Sequence, residues 1–128
     1  MAKIILVLLG GALGSLVRYS VSEFMQKYSD GTFPLGTLIV NLAGCLLIGL
    51  IWGIAEQGNI SVNLRTFIFI GLLGGFTTFS AFSVETMNLF RDNEIRLGII
   101  NILANNILGI LLTVGGFVLI SRIYQYIK

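Results

Sequence analysis

The charges in this chain are gathered into a few short clusters, and the stretches between them limit how it can fold. Residues 31–55, 66–84 and 97–121 carry no charged side chain, and residues 4–17 carry none before Arg18. An α-helix rises about 1.5 Å per residue, so roughly 20 apolar residues cross ~30 Å of hydrocarbon. The three longer stretches meet that length, and the first meets it if its helix runs through Arg18 to about Val21. Four such spans use nearly all of the 128 residues. Charged residues make up 11% of the chain, where a soluble domain carries roughly 25%. The sequence therefore predicts an all-α membrane protein, a single membrane domain over 1–128 with helices at about 4–22, 34–55, 65–90 and 97–120. Met1, Lys3 and Ile4–Leu9 open like a signal peptide but lack its small-residue cleavage pattern, so a retained first helix is expected.

Four spans place both termini on one side. Lys3, Arg65, Arg122 and Lys128 fall on that side, and Arg18, Lys27, Arg91 and Arg96 fall on the other. Orientation follows the Lys/Arg excess on the cytoplasmic side. Four against four gives almost no instruction. Either one loop dominates, or both orientations are made and an antiparallel pair can form. The net charge of +2 is modest, and no nucleic-acid partner is expected. There is no histidine, and Cys45, inside the second span, is the only cysteine. A zinc site is not expected, and Cys45 reads as a small buried hydrophobe.

Glycine occurs 16 times, and small residues at helical spacing let membrane helices approach closely. Most of these glycines are accounted for by a tight bundle. Pro34 is expected in the first turn of the second helix, where its fixed φ fits and no N–H is missed.

The segment 74–85, GGFTTFSAFSVE, asks for more than packing. Two glycines, Thr77, Thr78, Ser80 and Ser83 stand where an uninterrupted apolar helix is the default. Non-helical backbone at membrane depth survives only where it is buried in protein or lines a wet cavity. A break here exposes carbonyls suited to a cation, and amides or hydroxyls suited to an anion. A continuous helix whose hydroxyls bond back to their own carbonyls fits the same residues. Phe79 and Phe82, three apart, share a helical face. Ring edges carry partial positive charge, so the pair either packs a core or lines an anion's path.

Thr37 and Asn41 lie four apart on the second helix, and Asn101, Asn105, Gly109 and Thr113 recur every four residues on the fourth, with Asn106 alongside. One asparagine in a membrane is interhelical glue worth about 1 kcal/mol; a stripe of this length points to a pore or polar seam. Arg18 either snorkels to the interface or draws anions to a vestibule. Glu85 either sits at depth, where ionisable groups are functional by default, or pairs with a cation.

In order along the chain, GGALGSLVRY at 10–19, PLGTLIVNLAG at 34–44, GGFTTFSAFSVE at 74–85 and the polar fourth helix resemble the small bacterial fluoride channels of the Fluc or CrcB family. The resemblance implies passive export of cytoplasmic fluoride across the cell's inner membrane. It implies a homodimer of two copies inverted in the lipid bilayer, with two pores, the third helix broken near its middle, and a structural sodium ion at the centre. By motif position, main-chain carbonyls of Gly74 and Thr77 from each subunit would hold the sodium. Phe79 and Phe82 would line the pore, Asn41 would be the donor on the second helix, and Ser80 and Thr37 would be further fluoride contacts. Arg18 would lie at the vestibule. Thr113 is of the right kind to replace a fluoride ion's water. Two departures stand out. Ala81 replaces a threonine frequent in relatives, and Asn101, Asn105 and Gly109 stand where relatives present hydroxyl or other polar residues.

Two other readings share the four short helices. A small multidrug-type proton-coupled exporter relies on a membrane glutamate in its first helix, whereas here that helix carries Arg18 and no acid in its apolar run. A non-conducting subunit of a heteromeric channel would have an unlike partner with opposite charge bias. No nucleotide-binding motif is present, which fits a passive channel and not an enzyme.

Overall fold

The computed structural model describes residues 1–29, 31–58 and 60–127; Lys128, counted above in the charge balance, lies outside the described residues. Four helical spans are present, each long and apolar enough to cross a membrane. They are α1 (Ala2–Gln26), α2 (Leu35–Gln57), a third span over Val62–Arg91, and α5 (Ile95–Ile127). The third span is divided by Thr77 and Thr78 into α3 (62–76) and α4 (Phe79–Arg91). Among the described residues there is no strand. The chain is a multi-pass membrane protein with its third span broken.

The helices are longer than the charge pattern predicts. α1 starts before Lys3 and runs past Glu23, and α5 continues through Arg122 to Ile127. Charges limit only the part of a helix that lies in hydrocarbon. Backbone hydrogen bonding continues into the interfacial zone, where long basic side chains reach water. Pro34 also differs from expectation, standing just before α2 with φ −79° and ψ 68°. Leu35 N–H donates to the Phe33 carbonyl at 2.9 Å, which makes Pro34 the centre of an inverse γ-turn. That turn, and not a first helical turn, aims the chain into α2.

The other connections are closed by specific bonds. Arg65 Nη2 donates to the Ala55 carbonyl at 2.7 Å, placing a cation at the C-terminal end of α2 where free carbonyls gather. At the end of α4, Asn93 adopts φ 64° and Glu94 N–H donates to the Leu89 carbonyl at 2.8 Å. This is a Schellman-type stop, with asparagine in the left-handed position usually held by glycine.

Two seams of close approach hold the spans together. α1 packs on α3, and α2 packs on the C-terminal part of α5. In the first seam a Cβ on Gly75 would lie 2.6 Å from the Gly11 carbonyl oxygen, and one on Gly71 would lie 3.0 Å from the Gly10 Cα. Gly14 faces the Leu72 carbonyl even more closely. In the second, Gly49 abuts the Thr113 carbonyl and a Cβ on Gly116 would come within 2.9 Å of the Leu46 carbonyl. Lipid tails are as apolar as leucine, so this backbone-to-backbone contact is what joins membrane helices. Both α3 and α5 contain a wider π-wound stretch, Thr66–Leu73 and Ala104–Leu108 respectively.

Gly14→Ala is expected to push α1 off α3, because the groups it meets are main-chain atoms that cannot rotate away. The cost expected for such overpacking is about 1–3 kcal/mol, read as a lower midpoint in thermal unfolding of the detergent-solubilised protein. Gly115→Ala, whose Cβ meets nothing within 4 Å, should leave that midpoint unchanged or slightly raised.

Candidate functional site

α3 stops at Phe76 because the next two residues are extended: Thr77 at φ −81°, ψ 158° and Thr78 at φ −150°, ψ 121°. β-Branched residues tolerate that conformation well. Each threonine then repairs one side of the break. The Thr77 hydroxyl donates back to the Leu73 carbonyl at 3.0 Å. The Thr78 hydroxyl caps α4 by accepting from Ala81 N–H at 3.2 Å, as N-cap threonines do.

The peptide groups of Thr78 are satisfied from another helix. Its N–H donates to Asn41 Oδ1 at 2.8 Å, and its carbonyl accepts from Asn41 Nδ2 at 3.1 Å. One asparagine on α2 thus does for Thr78 what a neighbouring strand would do. Gly44, one turn along, has no side chain where Thr77 Cγ2 approaches. The break takes helical donors away from four carbonyls at the C-terminal end of α3, those of residues 74–77, and for two of them the lost donor's new partner is a side chain. Thr78 N–H, which a continuous helix would give to the Gly74 carbonyl, goes to Asn41. Ala81 N–H, which it would give to the Thr77 carbonyl, goes to the Thr78 hydroxyl. The Gly74 and Thr77 carbonyls, which the sequence resemblance assigns to sodium, are the first and last of these four. Carbonyl oxygens are suitable ligands for a hard cation, so the donor set fits that ion. Among the described residues there is no cluster of three or more His, Cys, Asp or Glu side chains that could hold a metal.

The break opens onto a cavity of about 320 Å³ lined by Asn41, Gly74, Thr77, Phe79, Phe82 and Asn105 among others. The rings of Phe79 and Phe82 have centroids 5.2 Å apart and are tilted by 58°. Phe82 is 6% exposed and Phe79 74% exposed. Gly74 and Asn106, which line this cavity with Phe79, are exposed, and so is Ser80.

Of the remaining residues expected in one track, Thr37 and Thr113 lie in two further cavities, and Ser80 and Arg18 line none of the three. Thr37 is buried at the start of α2, where its hydroxyl donates to Glu85 Oε1 at 2.6 Å. That pair lies in a polar pocket of about 200 Å³ with Ser22, Asn88 and Asp92. Glu85 Oε2 is buried there without a partner among the described residues. Thr113 lines a third cavity of about 250 Å³ with Asn105, Asn106 and Cys45. Its hydroxyl is shared between the Cys45 carbonyl at 2.9 Å and the Gly109 carbonyl at 3.1 Å. Ser80 Oγ stands 3.2 Å from Thr78 Oγ1. Arg18 is half-buried on α1 and makes no ion pair among the described residues.

The polar stripe of the fourth span is not wet along its length. Asn101 is 1% exposed and donates to Thr86 Oγ1 at 2.9 Å. Asn105 reaches the cavity, giving its amino group to Asn101 and accepting from Asn41 Nδ2 at 3.0 Å. Both N–H groups of Asn41 are therefore engaged by protein acceptors. Thr86 and the Thr37–Glu85 pairing were not legible in the sequence. Glu85 stands 48 positions from Thr37 and Thr86 stands 15 from Asn101, and no periodicity links residues on different helices.

The sequence model of the family described as "CrcB-like protein, Camphor Resistance (CrcB)" matches residues 5–117. A protein of Parabacteroides distasonis named "Fluoride-specific ion channel FluC" is 47% identical over 128 residues, all of both chains. Proteins of the same name from Desulforapulum autotrophicum and Desulfotalea psychrophila are 44% and 48% identical, covering 91% and 89% of this chain and 94% and 88% of their own. A family model that matches residues 5–117, and relatives 44–48% identical over 89–100% of the chain, place the chain in the CrcB-like family.

Proposed function

We propose that this chain is a fluoride-selective channel that conducts passively and assembles as two inverted copies in a bacterial inner membrane. The observation that carries the reading is the Phe79–Phe82 pair beside a helix break, in a chain matched end to end by proteins of that name. Fluoride holds its water tightly, so a pore must replace that water with donors at close range. The positive edges of two tilted rings supply part of this without also binding a cation. Ser80 supplies a hydroxyl beside them.

Thr37 and Thr113 present their hydroxyl protons to protein acceptors in the resting geometry. Each hydroxyl can rotate to an arriving anion at the cost of one hydrogen bond and return when the ion leaves. Binding that is replaceable in this way lets an ion enter and also lets it go. Arg18, half-buried near the end of the apolar run of α1, raises the local anion concentration at a mouth. No covalent chemistry is involved.

The exposed Gly74, Phe79, Ser80 and Asn106 support the second copy. Irregular backbone at mid-span needs cover from protein or water, and the outer face of the break has none within one chain. The carbonyls of Gly74 and Thr77 from two copies would supply four oxygens to a structural sodium ion, which neutralises the converging helix ends when bound.

Purified protein in liposomes is expected to release fluoride at least a hundredfold faster than chloride, measured with ion-selective electrodes. Phe79→Ile and Phe82→Ile should each lower fluoride efflux by about tenfold or more while the protein still elutes as a dimer. Unchanged efflux in both variants would remove the aromatic pathway.

Inversion is tested separately by placing a single cysteine at Lys27 in a Cys45→Ser background. About half of the molecules should react with a membrane-impermeant maleimide added outside sealed vesicles. Labelling close to none or close to complete would mean one fixed orientation.

A further inference from the structure

The hydrogen bonds around the break form one continuous path, and the path has a direction. Thr78 N–H can only donate, so Asn41 must turn Oδ1 towards it. That choice sets the Asn41 amino group against the Thr78 carbonyl and Asn105 Oδ1. Asn105 is then obliged to aim its own amino group at Asn101, whose Oδ1 and main-chain carbonyl accept at 2.9 and 3.0 Å. Asn101 in turn gives its amino group to Thr86 Oγ1 at 2.9 Å. The Thr86 hydroxyl passes its proton to the Phe82 carbonyl at 2.8 Å. The path leaves the break at Thr78, crosses α2 and α5, and returns to the third span at a pore phenylalanine.

We propose that Asn105, Asn101 and Thr86 are positioning residues, a one-way relay that locks Asn41 in the single orientation that keeps Thr78 extended. Through that lock the relay holds the Gly74 and Thr77 carbonyls clear of helical donors and fixes the backbone of Phe82 relative to them. Three features separate this from ordinary interhelical glue. Turning over Asn41 or Asn105 would set donor against donor and acceptor against acceptor at their contacts, and turning over Asn101 would set its amino group against that of Asn105 and draw the Thr86 proton off the Phe82 carbonyl, so the orientation is shared by the whole set. Asn101 and Thr86 are 1% and 7% exposed, and neither lines any of the three cavities. They are therefore placed to act on the break and not on a passing ion, and a partner lost there leaves a buried polar group. Finally, residues four apart drift by roughly 40° around a 3.6-residue helix. The wider π turn at Ala104–Leu108 takes back part of that drift, so that Asn105 bonds both Asn101 behind it and Asn41 across from it.

The proposal rests on the channel reading only for its transport readout. Thr86→Val keeps the side-chain volume and removes the hydroxyl. In liposomes of dimeric protein it is expected to lower fluoride efflux about tenfold and raise the sodium concentration needed for half-maximal efflux, with Thr86→Ser restoring both. The second readout is amide hydrogen exchange at Thr78, followed by NMR on the full chain in a lipid nanodisc. It should be as slow as in the flanking helices in the native and Thr86→Ser proteins, and at least tenfold faster in Thr86→Val. Native efflux together with native Thr78 exchange in Thr86→Val would overturn the relay. If Thr86→Val does not fold, the native protein decides, because loop-like exchange at Thr78 there excludes a lock and helix-like protection upholds it. Should the native protein fail to conduct fluoride, the channel reading falls, while the exchange measurement still tests the relay.

Discussion

A main-chain N–H or carbonyl left without a partner in hydrocarbon costs several kcal/mol, and the third span carries two residues whose helical bonds are broken. Asn41 meets both peptide groups of Thr78 at 2.8 and 3.1 Å. Much of the surrounding structure can be derived from that pairing. It requires α2 to pass within side-chain reach of the break, which Gly44 allows by leaving room for Thr77. It uses Oδ1 and one N–H of Asn41, and the second N–H finds its acceptor at Asn105. It also leaves the Gly74 and Thr77 carbonyls without their helical donors, as a cation site would need.

The two glycine seams keep the break from closing. One seam ties α1 to α3 on the N-terminal side of Thr77, through Gly10, Gly14, Gly71 and Gly75. The other ties α2 to α5, which carries Asn105 and Thr113. If α3 and α4 rejoined into a straight helix, Thr78 N–H would return to Gly74 and Asn41 would be stranded with unpaired groups between packed helices. The seams resist the movement that this would need. Packing and polar satisfaction favour the same broken geometry, and that agreement between levels is what a specified structure requires.

Much of this was legible in the sequence, and what was not has physical reasons. The four spans follow from charge spacing alone, because a bilayer acts on composition before it acts on contacts. GGFTTFSAFSVE marked the position of the break, since paired glycines and β-branched residues are poor helix formers wherever they stand. Helix ends were underestimated because charges end the hydrocarbon and not the helix. The fourth-span stripe could be read as a pore or a polar seam because four-residue spacing reports a face and not what covers it. Asn101 proved buried against Thr86, Asn105 half-buried and Asn106 exposed. The π turn that divides their roles has no signature in the sequence.

The proposed inversion of two copies has a reason beyond balanced charges. The carbonyls of residues 74–77 close the C-terminal end of α3, and that end carries the partial negative charge of a helix terminus. Two parallel copies would direct these carbonyls towards the same side of the membrane, leaving an ion between them open from the other. Two inverted copies direct them at each other, so that four oxygens surround one point near the midplane. Converging negative ends repel unless a cation lies between them, and in the proposed dimer the same cation would join the two exposed faces that carry Phe79 and Asn106. On this reading the ion and the inversion are a single requirement of the broken helix. An even split of basic residues between the two sides is what insertion in both orientations would require.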